Sequence, residues 1–129
     1  MTIELQILGW SIVLGLVHVV IAASLSTQQR GLKWNVGNRE GEPKPLIGAA
    51  GRATRASLNF LETFVFFGAA VLAVVLAKQN NSHTALGAEI YFWARVVYLP
   101  VYLAGVPYLR TLVWTASLVG LIMVIAGLF

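Results

Sequence analysis

The chain has 129 residues, 58% of them apolar and only 11% charged, with a mean hydropathy of +0.78 and no cysteine. Soluble domains carry roughly 25% charged residues, so this chain cannot clothe a globular surface in water and reads as a membrane protein. The composition also excludes a disordered chain, a disulfide-stapled scaffold and a cysteine-ligated metal site. The net charge of +4 is read by its position relative to a bilayer, not as a nucleic-acid footprint.

Four apolar stretches reach the about 20 residues that a bilayer crossing needs: Leu5–Leu25, Ala56–Ala77, Leu86–Val106 and Thr111–Phe129. With their polar approaches, the predicted spans are 5–25, 48–77, 86–106 and 110–128. Residues 1–129 thus read as one all-α integral membrane domain, a bundle of four transmembrane helices. Runs such as Val71–Ala77 show no period of two, which argues against a β-barrel. Glu4 stands where a signal peptide would carry Lys or Arg, so the first span is read as mature structure.

The connection Ser26–Ile47 holds Pro43 and Pro45 and cannot be one continuous helix. Lys78–Ala85 forms the second connection and a tight turn around Gly105 and Pro107 the third. Arg30, Lys33, Arg39, Lys44, Arg52, Arg55 and Arg110 fall on one side of the predicted bundle, and Lys78 stands alone on the other. The positive-inside rule then places the first and third connections in the cytoplasm and both termini on the opposite side. Trp10, Trp93 and Trp114 lie near predicted span ends and read as an interfacial aromatic belt.

Ionisable groups inside a bilayer cost on the order of 3 kcal/mol each on insertion scales and need partners. On span two, Arg52, Arg55, Asn59 and Glu62 are spaced three, four and three apart and fall within about 80° of one another. Tyr91, Arg95, Tyr98 and Tyr102 make a similar stripe on span three. Counted inward from the same side, Glu62 lies about 21 Å from Gly48 and Arg95 about 17 Å from Val106, while Arg110 opens span four. These groups converge on one predicted cavity. Pro100, between Tyr98 and Tyr102, is expected to kink span three and free the Val96 carbonyl.

The inventory is several fixed cations (Arg52, Arg55, Arg95, Arg110), one carboxylate (Glu62), an amide (Asn59) and two phenols (Tyr98, Tyr102). Arginine's planar fork matches carboxylates, so a ligand with more than one anionic group and one amine fits. An apolar second substrate would enter from the bilayer. A structural alternative is a buried Glu62–Arg95 ion pair tying span two to span three, although it leaves the surplus cations unexplained. His18 reads as an interhelical hydrogen-bonding residue and His83 as a solvated loop residue. Two isolated histidines make no metal site.

The run Gly51-Arg52-Ala53-Thr54-Arg55-Ala56-Ser57-Leu58-Asn59-Phe60-Leu61-Glu62 resembles the signature that opens helix two of the MAPEG family, the membrane-associated proteins in eicosanoid and glutathione metabolism. Ala94-Arg95-Val96-Val97-Tyr98 with Tyr102, followed by Arg110-Thr111, is similar to the family's helix-three motif and the arginine that starts helix four. The resemblance implies a homotrimer in membrane lipid, with glutathione as co-substrate bound between subunits and no metal. It implies glutathione-binding roles for Arg55, Asn59, Glu62, Arg95, Tyr98 and Tyr102, with Arg52 and, by a looser alignment, Arg30 beside them. Arg110 would stabilise the thiolate, and Thr111 would stand beside the sulfur.

Val65 and Phe66 occupy positions where many relatives have proline, and Tyr98 stands where prostaglandin E synthases tend to have histidine. The resemblance therefore points to a general, prokaryotic-type glutathione transferase or peroxidase acting on lipophilic electrophiles or hydroperoxides. The alternative within the same fold is a non-enzymatic lipid-binding or scaffold protein, and a third reading is a small transporter. Nucleic acid is not an expected partner.

Overall fold

Thr2 opens the first helix. In the computed structural model, which describes residues 1–129, its hydroxyl accepts the Leu5 N–H at 3.2 Å, and Glu4 complements the positive end of the helix dipole. This helix, α1 (Ile3–Arg30), runs a turn beyond the apolar stretch and stops at Gly31, whose φ of 91° disfavours any side chain. A short α2 (Leu32–Val36) follows inside the first connection, and the remainder of that connection, with its two prolines, is irregular.

The long helix α3 (Gly48–Leu76) carries the Arg-Asn-Glu stripe. The next, α4 (Ser82–Ala104), begins four residues before the expected Leu86 because Asn81 and Thr84 form a capping box. Asn81 Oδ1 accepts the N–H groups of His83 and Thr84 at 2.8 and 3.0 Å, and Thr84 Oγ1 accepts the Asn81 N–H at 2.7 Å. His83 accordingly sits in the first helical turn, exposed, rather than in a loop. Gly105 ends α4 in the left-handed conformation, and Pro107 takes the first position of α5 (Pro107–Ala126). Pro100 lies within α4 without ending it.

Length and apolar composition qualify α1, α3 and α5 to cross a membrane. Most apolar side chains on the outer faces of these helices, such as Leu16, Val20, Val65, Phe66, Leu112 and Ile122, are exposed on the single chain. That surface suits lipid or further protein and is costly in water.

The helices pack as two antiparallel pairs, α1 on α3 and α4 on α5, joined through α4. Gly15 lets α1 approach Phe60, and at the far end Gln29 brackets Ile47, donating to its carbonyl and accepting its N–H. The α4–α5 seam is closest at Gly87 and Gly120, where each glycine faces the other's carbonyl. One buried cluster, including Leu8, Phe67, Val71, Val74, Ala88, Tyr91 and Val124, fills the half of the bundle near the N-terminus. A smaller one, Ala56, Tyr98, Leu99 and Tyr102, lies in the other half and forms the floor of the candidate site.

Candidate functional site

A cavity of about 250 Å³ opens where α3, α4 and α5 meet, lined by Asn59, Tyr98, Tyr102, Arg110, Thr111 and Trp114. Helical spacing explains the set. Tyr98 and Tyr102 are one turn apart on α4, while Arg110, Thr111 and Trp114 share the first two turns of α5. The Arg110 guanidinium lies 4.8 Å from the centre of the Tyr102 ring, and the Tyr98 and Tyr102 rings are 5.5 Å apart. The result is a cation held against the Tyr102 ring across the α4–α5 hairpin, with the Tyr98 ring beside it.

Arg95 stands behind this wall. It is fully buried, its Nη1 donates to Asn59 Oδ1 at 2.9 Å, and its guanidinium lies 4.1 Å from the Tyr98 ring centre and 5.5 Å from that of Phe60. Its Nε and Nη2 have no hydrogen-bond partner. Arg95 thus orients two cavity-lining side chains, Asn59 and Tyr98, and supplies a buried positive charge that no carboxylate of the chain neutralises.

The alternative of a Glu62–Arg95 ion pair is corrected by the register: Arg95 meets Asn59, and Glu62 is exposed. Counted from the same side, Asn59 is about 17 Å along α3, level with Arg95, while Glu62 lies one turn deeper and about 60° further round. Arg55 is likewise exposed. Neither lines the cavity of its own chain, and both lie on one exposed side of α3, available to lipid or to a partner.

Arg52 is engaged locally. Its Nε donates to the Leu103 carbonyl at 2.9 Å, and its side chain packs over Gly105, so it fastens the start of α3 to the end of α4. Arg30 donates to the Lys44 carbonyl at 2.8 Å and lines a separate cavity with Trp34, Asn35, Arg39 and Pro43. The structure does not bring it to the α3–α4–α5 cavity. Tyr91 is also apart: its hydroxyl pairs with Thr63 at 3.0 Å and its ring stacks on Phe67 at 4.0 Å, within the core. Pro100 is exposed and does not line the cavity.

Two readings change. His18 makes no hydrogen bond: both ring nitrogens are unpartnered, and the ring stacks on Phe60 with centroids 4.9 Å apart. Phe60 therefore lies between His18 and Arg95. Trp114, assigned to the aromatic belt, lines the cavity, and its buried Nε1–H is unpartnered. The signal for it was its position one turn after Arg110 on α5.

The fold and site define an all-helical integral membrane protein with a polar, cation-bearing cavity at one end of its bundle. Residues 7–129 match the MAPEG family, and the chain belongs to that family. No curated protein and no solved structure matches the chain.

Proposed function

We propose that this protein is a glutathione-dependent membrane transferase, with peroxidase activity as a variant of the same chemistry, working as a homotrimer on lipophilic electrophiles or hydroperoxides. The observation that carries the reading is the cavity itself, where Arg110 at the start of α5 is joined by Thr111, Trp114, Tyr98, Tyr102 and Asn59, with Arg95 buried behind. A tripeptide with two carboxylates, one amine and a thiol fits this donor set. The Arg110 guanidinium suits a carboxylate or thiolate, the unneutralised charge of Arg95 behind the wall adds to the positive field, and the phenols suit a peptide backbone.

The exposed faces of Arg55 and Glu62 support assembly, because a guanidinium and a carboxylate on an otherwise apolar span need protein or ligand opposite them. In the proposed trimer they meet a neighbouring subunit's cavity, with Glu62 taking the γ-glutamyl amine. The proposed topology has four spans, with the Arg-rich connections in the cytoplasm. There α4 is the fourth spanning helix, its Arg95 covered by α3 and its Glu89 half-buried.

The chemistry asked of the residues is modest. A thiol of pKa about 8.5 is only a few per cent ionised at pH 7, and the thiolate is the nucleophile. Arg110 donating to the sulfur, and so lowering the thiol pKa by about two units, supplies roughly 2.7 kcal/mol of differential stabilisation. The thiol proton passes to solvent at the mouth of the cavity, and Tyr98, Tyr102 and Asn59 fix the peptide while an apolar electrophile approaches from the bilayer.

The test is conjugation of glutathione to a lipophilic aryl halide by detergent-purified protein. Arg110→Ala is expected to lose turnover by at least a hundredfold while chromatographic size and helicity are kept. Turnover close to wild type in that variant would remove Arg110 from the chemistry and favour the non-enzymatic lipid-binding reading.

A further inference from the structure

The end of the bundle opposite the glutathione cavity carries a different chemistry. A groove of about 490 Å³ runs between α1 and α4, and its walls are Trp10, Phe92 and Trp93, two isoleucines of α1, Gln6 and Glu89. Trp10 and Glu89 each lie seven residues into their helices, which run parallel, so they meet at one level about 10 Å below the helix starts. Phe92 and Trp93 stand edge to face with centroids 5.1 Å apart, and Trp10 and Trp93 remain 61% and 60% exposed.

Two features set this groove apart from an ordinary lipid-facing surface. Trp93, read in sequence as a belt residue, lies eleven residues into α4, about 16 Å along it and beyond the polar first turn, beside Glu89 and Phe92. Glu89 is a half-buried carboxylate among aromatic rings, engaged by no hydrogen bond or ion pair within the chain. The other helical carboxylate at this end, Glu4, is satisfied by the Thr84 hydroxyl at 2.7 Å. Of the cations flanking the groove, Lys78 lies in the turn beyond the helices, and Arg95 is turned into the Phe60–Tyr98 stack. The charge of this groove is therefore negative where that of the glutathione cavity is positive.

From this juxtaposition of a lone carboxylate with three aromatic side chains in an open apolar groove, we infer that the α1–α4 groove binds a lipophilic ammonium ion, a compact tertiary or quaternary cation on a single alkyl tail. The cation sits against Glu89 and the faces of the tryptophans, and the tail follows the apolar wall toward the bilayer. A zwitterionic phospholipid is a poorer occupant, because at this depth its phosphate would be drawn in beside the Glu89 carboxylate and repelled. The inference is independent of thiol chemistry, since none of these residues touches the glutathione cavity.

The test titrates the protein in maltoside micelles with decyltrimethylammonium below its micellar concentration, following tryptophan emission without glutathione. Decyl sulfate and dihexanoyl phosphatidylcholine serve as comparison ligands. The expected result is a saturable change with the ammonium amphiphile alone, weakened at least tenfold in Glu89→Gln and several-fold in Trp93→Leu, with helicity and chromatographic size unchanged in both. A response in Glu89→Gln equal to wild type, or an equal response to decyl sulfate, would overturn the inference. Tighter binding of the phosphatidylcholine would also overturn it, in favour of a lipid-headgroup site. Should Glu89→Gln fail to fold, an unaltered response in Trp93→Leu would by itself refute the aromatic contribution.

Discussion

Replacing Gly120 by alanine probes the helix contact that positions the cavity proposed to bind glutathione. A Cβ at Gly120 would lie 2.5 Å from the Gly87 carbonyl oxygen and 2.6 Å from the Tyr91 nitrogen, both backbone atoms of α4 that no rotamer change can move. Restoring ordinary contact at 3.4 Å requires α4 and α5 to part locally by about 0.9 Å. Overpacking of this kind costs about 1–3 kcal/mol, offset by at most about 1 kcal/mol from the better helix propensity of alanine. With the full offset the net expectation is a loss of up to about 2 kcal/mol. Gly9→Ala is the matched control: its Cβ would meet nothing within 4 Å, so it gains about 0.5–1 kcal/mol from the same propensity. Denaturant unfolding of both variants in detergent, followed by circular dichroism, measures the difference. Because Arg110 and Tyr102 face each other across the same two helices at 4.8 Å, Gly120→Ala should also weaken glutathione binding. A Gly120→Ala protein as stable as Gly9→Ala would refute the close-seam argument.

Thr84→Val leaves the buried Glu4 carboxylate without its 2.7 Å donor and removes the capping-box oxygen; unfolding measurements should register a loss of about 1–3 kcal/mol. Arg52→Met keeps the packing over Gly105 but deletes the bond to the Leu103 carbonyl, and a loss of about 1.5 kcal/mol is expected in the same assay. His18→Phe retains the stack on Phe60 and removes two unpartnered buried nitrogens, so thermal stability should hold or rise. A fall of more than about 1 kcal/mol would mean that His18 is hydrogen-bonded in the working protein.

The membrane class was legible because composition alone forbids a water-soluble surface, and the polar stripe on α3 was legible because three- and four-residue steps repeat on one helical face. What spacing could not supply was rotation and register between helices. Asn59 and Glu62 share a stripe, yet only Asn59 meets Arg95, because three residues carry Glu62 a turn deeper and past the edge of the α3–α4 contact. The start of α4 is not legible in hydropathy for a local reason: hydropathy marks where apolar residues begin, whereas the capping box of Asn81 and Thr84 marks where the helix does. Sequence reads His18 by its residue type and Trp114 by its place near a span end. Stacking on Phe60 and a place beside Arg110 are tertiary facts that no single helix encodes.

The central claim is that the cavity at the start of α5 ionises a bound thiol. Ultraviolet difference absorbance of the thiolate, recorded as glutathione is added to purified protein at neutral pH, tests it most directly. A saturable thiolate signal that disappears in Arg110→Ala is the predicted result. A folded, assembled wild-type protein that gives no such signal would contradict the claim.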